Sequence, residues 1–273
     1  EFKTPSRLNA TDVAWALPAN KTKDVGRILE SDVIRGFVGY EYPTYSLFHL
    51  NKTPHSTWRT EMSKLTPREI LSAGAVVPVM AIDDLSTAVD LSHALVEGGI
   101  PTLEITLRTP VGLDAIRLIA KEVPNAIVGA GTVTNPEQLK AVEDAGAVFA
   151  ISPGLHESLA KASHNSGIPL IPGVATPGEV QLALEHGIDT LKLFPAEVVG
   201  GKAMLKALYG PYADVRFCPT GGISLATAPD YLALPNVLCV GGSWLTPKEA
   251  VKNKDWDTIT RLAKEAAALK PKA

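Results

Sequence analysis

Cysteine is scarce in this sequence. Its 273 residues hold two, Cys218 and Cys239, both inside apolar, strand-like runs. No disulfide framework or metal-ligand spacing can be built from that pair, so both read as reduced, buried side chains of a cytoplasmic protein. Long apolar runs are missing as well. No stretch approaches the roughly 18 consecutive apolar residues that span a bilayer, so no membrane segment is expected. Charge of one sign is also lacking. A net charge of −3 gives no electrostatic ground for nucleic acid or a charged membrane as partner. What remains is 45% apolar content, enough for a soluble globular protein with a full core.

Aromatic residues are few and unevenly placed. Eight of the sixteen (Phe2, Trp15, Phe37, Tyr40, Tyr42, Tyr45, Phe48 and Trp58) fall in residues 1–61, and the rest of the chain shares the other eight. Such a composition break marks a boundary, and Met62 sits on it. Residues 1–61 show no sustained period, although 33–40 and 42–50 could form strands. Mixed acidic and basic residues argue against a transit peptide, and no signal-peptide core is present. The sequons at Asn9, Asn20 and Asn51 suit glycosylation only in a secreted protein, which nothing else supports. This segment reads as an appended leader, natural or introduced by fusion, with Met62 as the original start.

From Met62 the chain is regular. Thr66-Pro67-Arg68-Glu69 predicts a capping box with proline at the first helical position, and Gly74 closes that short helix. Strands are expected at Val76–Ala81, Thr102–Thr106, Ala126–Gly131, Phe149–Ser152, Pro169–Gly173, Thr190–Phe194, Arg216–Thr220 and Leu238–Gly242. Amphipathic helices are expected between them, including Leu85–Glu97, Val111–Glu122, Pro136–Ala145 and Gly178–His186, with a last one near Trp256–Leu269. Alternating βα units of this number predict an α/β protein of the (β/α)8 TIM-barrel class, spanning residues 62–273.

The chemistry gathers where those strands end. In Thr190-Leu191-Lys192-Leu193-Phe194-Pro195, alternation puts Leu191 and Leu193 on one face and Lys192 and Phe194 on the other. An ammonium held in a dehydrated interior is pulled towards its neutral form, which attacks carbonyls and forms Schiff bases. The bland alternative is a strand-end lysine that snorkels to solvent or pairs with a carboxylate. In Leu103 to Arg108, Glu104, Thr106 and Arg108 are spaced two apart, so they share a face that must point into the lumen. A carboxylate and a guanidinium there could also neutralise each other as a structural pair.

Glycine marks the other strand ends, in Gly129-Ala130-Gly131-Thr132, Ile151-Ser152-Pro153-Gly154 and Ile171-Pro172-Gly173. It admits a closely approaching ligand or backbone, and equally suits plain tight turns. After the seventh and eighth strands come Thr220-Gly221-Gly222-Ile223-Ser224 and Gly241-Gly242-Ser243-Trp244. Twin glycines followed by hydroxyls at these two ends fit the phosphate-binding corner of many barrels, where backbone N–H groups and a helix N-terminus hold an anion.

Taken together, the blocks LEITLRT, GAGTV, AISPG, LIPGVATP, LKLFPAE, RFCPTGGIS and GGSWL closely resemble the 2-dehydro-3-deoxy-6-phosphogluconate (KDPG) aldolases. Members of that family often act on 4-hydroxy-2-oxoglutarate (KHG) as well. The resemblance covers residues 62–273 and leaves the leader out. It implies a class I aldolase in which Lys192 forms the Schiff base and Glu104 is the general acid/base. Arg108 and Thr132 would hold the substrate carboxylate, and Pro153 and Phe194 would shape the pyruvate pocket. Thr220 would lie beside the site, while Gly221, Gly222 and Ser243 would bind the distal phosphate. It further implies a phosphorylated keto acid as substrate, a homotrimer, and no cofactor. The six histidines are scattered over the leader and helices, and the strand ends lack the His and carboxylate cluster that a metal-dependent aldolase needs.

Two other readings stay open at the level of sequence. One is an aldolase for a related keto acid, such as the phosphogalactonate epimer. The other is a barrel that serves as an oligomeric carrier for residues 1–61.

Overall fold

The computed structural model describes residues 65–269. The leader, its two expected strands, the sequons and the Met62 boundary lie outside the described residues.

Helix α1 (Pro67–Ser72) opens with the expected capping box. Thr66 Oγ1 accepts from the Glu69 N–H at 3.3 Å, and the Glu69 carboxylate accepts from the Thr66 N–H at 2.8 Å. Two donors that a helix start leaves unpaired are thereby satisfied. Ile70 and Leu71 are fully buried, and Thr102, at the start of β2, donates to the Ile70 carbonyl at 3.0 Å. Arg68 reaches Asp189 at 2.5 Å and the Asp214 carbonyl at 2.7 Å, just ahead of β7 and β8. These contacts set α1 across the N-terminal ends of the strands.

The strands follow: β1 (Val76–Met80), β2 (Thr102–Thr106), β3 (Ile127–Gly131), β4 (Phe149–Ile151), β5 (Leu170–Ile171), β6 (Gly173–Val174), β7 (Thr190–Leu193), β8 (Arg216–Pro219) and β9 (Val240–Gly242). All pair in parallel, in a six-stranded sheet ordered β5-β4-β3-β2-β1-β9 and a three-stranded sheet ordered β6-β7-β8. The expected strand at 169–173 is thus two short pieces. Pro172 between them has no N–H for a ladder, although its carbonyl still accepts from Lys192 at 2.8 Å. Isolated parallel bridges link Phe217 of β8 to Val237, just before β9, and Thr220, just after β8, to Gly241 of β9. The architecture is TIM-barrel-like α/β.

Helices alternate with strands: α2 (Ala88–Glu97), α3 (Gly112–Glu122), α4 (Pro136–Asp144), α5 (Glu157–Ser163), α6 (Pro177–Glu185), α7 (Gly201–Tyr209), α8 (Ala228–Leu232), α9 (Lys248–Lys252) and α10 (Trp256–Ala267). The helix expected from Leu85 begins instead as a 3-10 turn over Leu85–Thr87, capped by Asp84. Two apolar clusters follow from strand alternation. Leu103, Ile105, Val128, Ala130, Leu191 and Leu193 face the helices. On the opposite strand faces, Val77, Ile127, Phe149, Ile151, Ile171, Cys218 and Cys239 cluster with Ile70 and Leu71. This second cluster makes a dry floor beneath the ends of the strands.

Candidate active site

Above that floor sit two charges. Lys192, in β7, keeps 5% of its surface exposed, and Glu104, in β2, keeps 1%. Lys192 Nζ donates to Glu104 Oε1 at 3.1 Å. Desolvating such a pair costs more than burying two apolar side chains of the same size, so stability does not account for it. The lysine neither snorkels out nor stands alone, and its ammonium also lies 5.2 Å from the centre of the Phe194 ring. Lys192 and Phe194 therefore share a face, as alternation requires.

Neighbouring glycine makes room for the carboxylate. A methyl group at Gly131 would overlap Glu104 Oε1 and stand 2.7 Å from its Cγ. Glycine at this strand end thus admits a side chain of the protein's own. A methyl at Gly129 would overlap the Phe149 ring in the floor below. Thr132, next along, holds φ +62, a left-handed conformation that β-branched residues rarely adopt. It is pinned on both sides, since Leu107 N–H donates to Gly131 O at 2.9 Å and Val133 N–H to Ile151 O at 3.1 Å. Strain of roughly 1–3 kcal/mol of this kind persists where the surroundings over-determine the backbone, and it clusters at functional sites.

Arg108 departs from the simplest expectation. Strand β2 ends at Thr106, so Arg108 lies in the following turn and is exposed. Its Nε donates to Thr106 Oγ1 at 3.2 Å, and Thr106 in turn donates to the Met80 carbonyl at 2.9 Å. Glu104 pairs with Lys192 and not with Arg108, which removes the structural-pair reading of those two residues. Arg108 is left at the rim, and its terminal nitrogens have no partner among the described residues.

The remaining predicted residues lie at the same ends of their strands. Pro153 follows β4, and a side chain at Gly173 would strike its carbonyl. Thr220 follows β8, is buried, and donates to the Cys218 carbonyl at 3.3 Å. A methyl at Gly241 would overlap Thr220, which explains that glycine. Cys218 and Cys239 are free and buried, and burial together with the adjacent Cys218 thiol pushes the Cys239 thiol well above its ordinary range.

Gly221 and Gly222 have φ +105 and +82. Among the described residues, no acceptor is paired with the N–H of Gly221, Gly222 or Ser243. Helix α8 begins only at Ala228 and α9 at Lys248, so neither glycine pair opens a helix. Any anion held here is held by turn N–H groups. Glu197, beyond the cis Phe194-Pro195 bond, leans on this turn, and a methyl at Gly222 would stand 2.6 Å from its Cγ. Sequence reasoning missed Glu197 as a functional candidate, and the acidic end of the LKLFPAE block was the available signal. Among the described residues, no three His, Cys, Asp or Glu side chains converge as metal ligands. No described helix is long and apolar enough to cross a membrane.

Known proteins resemble this chain over most of the described residues. A family model described as "Aldolase: KDPG and KHG aldolase" matches residues 68–262. The 2-dehydro-3-deoxy-phosphogluconate aldolase of Dickeya dadantii (strain 3937) is 57% identical over 205 residues, 75% of this chain and 96% of its own length. The KDPG aldolase of Legionella pneumophila, solved with pyruvate captured as a covalent carbinolamine, superposes with TM-score 0.74 at 48% identity, covering 75% of this chain and 99% of that one. The aldolase of Zymomonas mobilis ZM4, solved with 3-phosphoglycerate, gives TM-score 0.72 at 46% identity, covering 75% and 96%. With a lysine–glutamate pair at the strand ends and likeness over nearly the whole length of these relatives, the chain belongs to the KDPG and KHG aldolase family.

Proposed function

We propose that the chain is a class I aldolase, cleaving 2-dehydro-3-deoxy-6-phosphogluconate to pyruvate and glyceraldehyde 3-phosphate, and 4-hydroxy-2-oxoglutarate to pyruvate and glyoxylate. The observation that carries this reading is the 3.1 Å contact between Lys192 Nζ and Glu104 Oε1 in a dry interior. Lys192, having passed a proton to Glu104, attacks the C2 ketone. Glu104 returns the proton to the carbinolamine hydroxyl, water leaves, and a protonated imine forms. Glu104 next takes the proton of the C4 hydroxyl. The C3–C4 bond breaks, the aldehyde leaves, and the bonding pair moves into an enamine with the imine as electron sink. Protonation at C3 and hydrolysis then release pyruvate and free Lys192.

Arg108 offers its guanidinium to the substrate carboxylate in a bidentate grip. The strained Thr132 is assigned to the same group, with Pro153 and Phe194 walling the pyruvate end and Thr220 beside it. The N–H groups of Gly221, Gly222 and Ser243, without an acceptor among the described residues, are assigned to the distal phosphate.

The two parallel sheets are read as one closed (β/α)8 barrel. This is supported by the short break at Pro172 and the isolated bridges linking the β8 and β9 regions. The chain is further read as a cytoplasmic homotrimer with a leader at 1–61 outside the barrel domain at 62–273. Family membership supports the trimer, and sedimentation velocity tests it.

Borohydride reduction in the presence of pyruvate tests the mechanism. The adduct is expected on the peptide carrying Lys192, with Lys192→Ala untrappable and inactive. An adduct on any other lysine overturns the assignment.

A further inference from the structure

The Gly221-Gly222 turn is not held by its own backbone alone. Glu197 N–H donates to Gly221 O at 3.1 Å, and Ala196 N–H to Thr220 O at 2.8 Å, which ties the loop after β7 to the loop after β8. The aliphatic part of Glu197 fills the space beside Gly222, with its Cγ and Cβ 2.6 and 2.8 Å from where a methyl would stand. Its carboxylate is fixed from the other side. Tyr231, fully buried in α8, donates its hydroxyl to Glu197 Oε1 at 2.5 Å. A methyl on Gly201, the first residue of α7, would overlap that hydroxyl, so glycine there leaves it room. Burial and the facing carboxylate hold the phenol far above its ordinary range, so it remains a donor at any working pH. Lys202 packs over the same ring at 5.8 Å and pairs with Asp230 at 2.6 Å.

We propose that Glu197, locked by Tyr231, is a positioning and specificity residue that shapes the Gly221-Gly222 turn for the phosphate of phosphorylated keto acids. The proposal rests on the assignment of that turn as the phosphate site. Both glycines occupy left-handed backbone, where the chain by itself has many alternatives. A side chain wedged against Gly222, and a backbone bond to Gly221, hold the turn in the conformation in which its N–H groups have no acceptor among the described residues. A carboxylate near an anion site also repels it, and the hydrogen bond from Tyr231 draws part of that charge towards α8. Shape is therefore the contribution of Glu197, and charge its cost, kept small by solvent screening of this exposed residue.

The two contributions separate by substitution. Glu197→Ala removes the acceptor and the Cγ part of the wedge, leaving Cβ and the backbone bond to Gly221, whereas Glu197→Gln keeps the whole side-chain wedge and an acceptor and removes the charge. With Glu197→Ala, kcat/KM for the phosphorylated keto acid is expected to fall about tenfold, the scale of a lost hydrogen bond to a charged group. Cleavage of unphosphorylated 4-hydroxy-2-oxoglutarate and borohydride trapping with pyruvate should stay within about twofold. Glu197→Gln should stay within about threefold of the parent, or exceed it, on the phosphorylated substrate. Tyr231→Phe, a small change inside the fold, should share the phosphate-selective loss and serves if the alanine variant melts early. Inorganic phosphate should inhibit the parent competitively and the alanine variant about tenfold more weakly. Equal losses on both substrates, a gain in Glu197→Ala, or a Gln variant as poor as Ala would each overturn the positioning role. If inorganic phosphate fails to compete in the parent, the phosphate site itself falls first, and this role with it.

Discussion

Gly131→Ala is the sharpest test of Glu104. The backbone at 131 lies outside the left-handed region, so alanine meets no conformational penalty there. The only consequence is steric. The new methyl would overlap Glu104 Oε1 and sit 2.7 Å from Cγ and 2.9 Å from Cδ. Carbon atoms rest at about 3.5–4.0 Å, so the carboxylate must retreat by about 1 Å. It cannot do so without stretching the 3.1 Å contact to Lys192, because both side chains are enclosed. A displacement of about 1 Å in a reacting group costs on the order of 10²-fold in rate, while overpacking costs about 1–3 kcal/mol in stability. Pyruvate release, followed by coupling to lactate dehydrogenase, should therefore show kcat down by on the order of 10²-fold in a protein that still folds. Gly129→Ala is the matched control. Its methyl meets the Phe149 ring in the floor, so Tm should drop while kcat, measured well below Tm, holds within threefold. If Gly131→Ala keeps kcat within threefold, or if the two variants behave alike, then the placement of Glu104 is not what limits the chemistry.

Glu104→Gln keeps size and polarity but carries no proton, and kcat should fall by roughly 10²–10⁴-fold; activity within threefold would remove Glu104 from the mechanism. Ser243→Ala should weaken phosphorylated substrate by about 1–2 kcal/mol with little effect on 4-hydroxy-2-oxoglutarate, and equal losses on both would make the glycine pairs plain architecture. Gly222→Val should lower stability as well as phosphate selectivity, because valine meets Glu197 before it meets any ligand; a melting curve matching the parent's would refute that contact. A chain starting at Met62 should keep kcat/KM within about a factor of three, or ~0.65 kcal/mol, and a larger loss would give residues 1–61 a part in the site.

Much of this protein was legible in one dimension. Thr66-Pro67-Arg68-Glu69 specified its capped helix because capping is settled within four residues. Prolines and glycines bounded the strands, and the period of two put Lys192 with Phe194, and Glu104 with Thr106, on the faces that the fold turns inward. Those features depend on neighbours in the chain. The pairing of Lys192 with Glu104 spans 88 residues, and that of Tyr231 with Glu197 spans 34. Local patterns carry neither strand register nor the space left by an absent side chain. Sequence could show that Gly131 and Gly222 were glycine, but not that Glu104 and Glu197 were what needed the room. Nor could alternation foresee that β2 would end at Thr106 and leave Arg108 at the rim, since a strand stops where its ladder partners stop. Chain order determined which groups face the interior, and tertiary packing alone decided which of them touch.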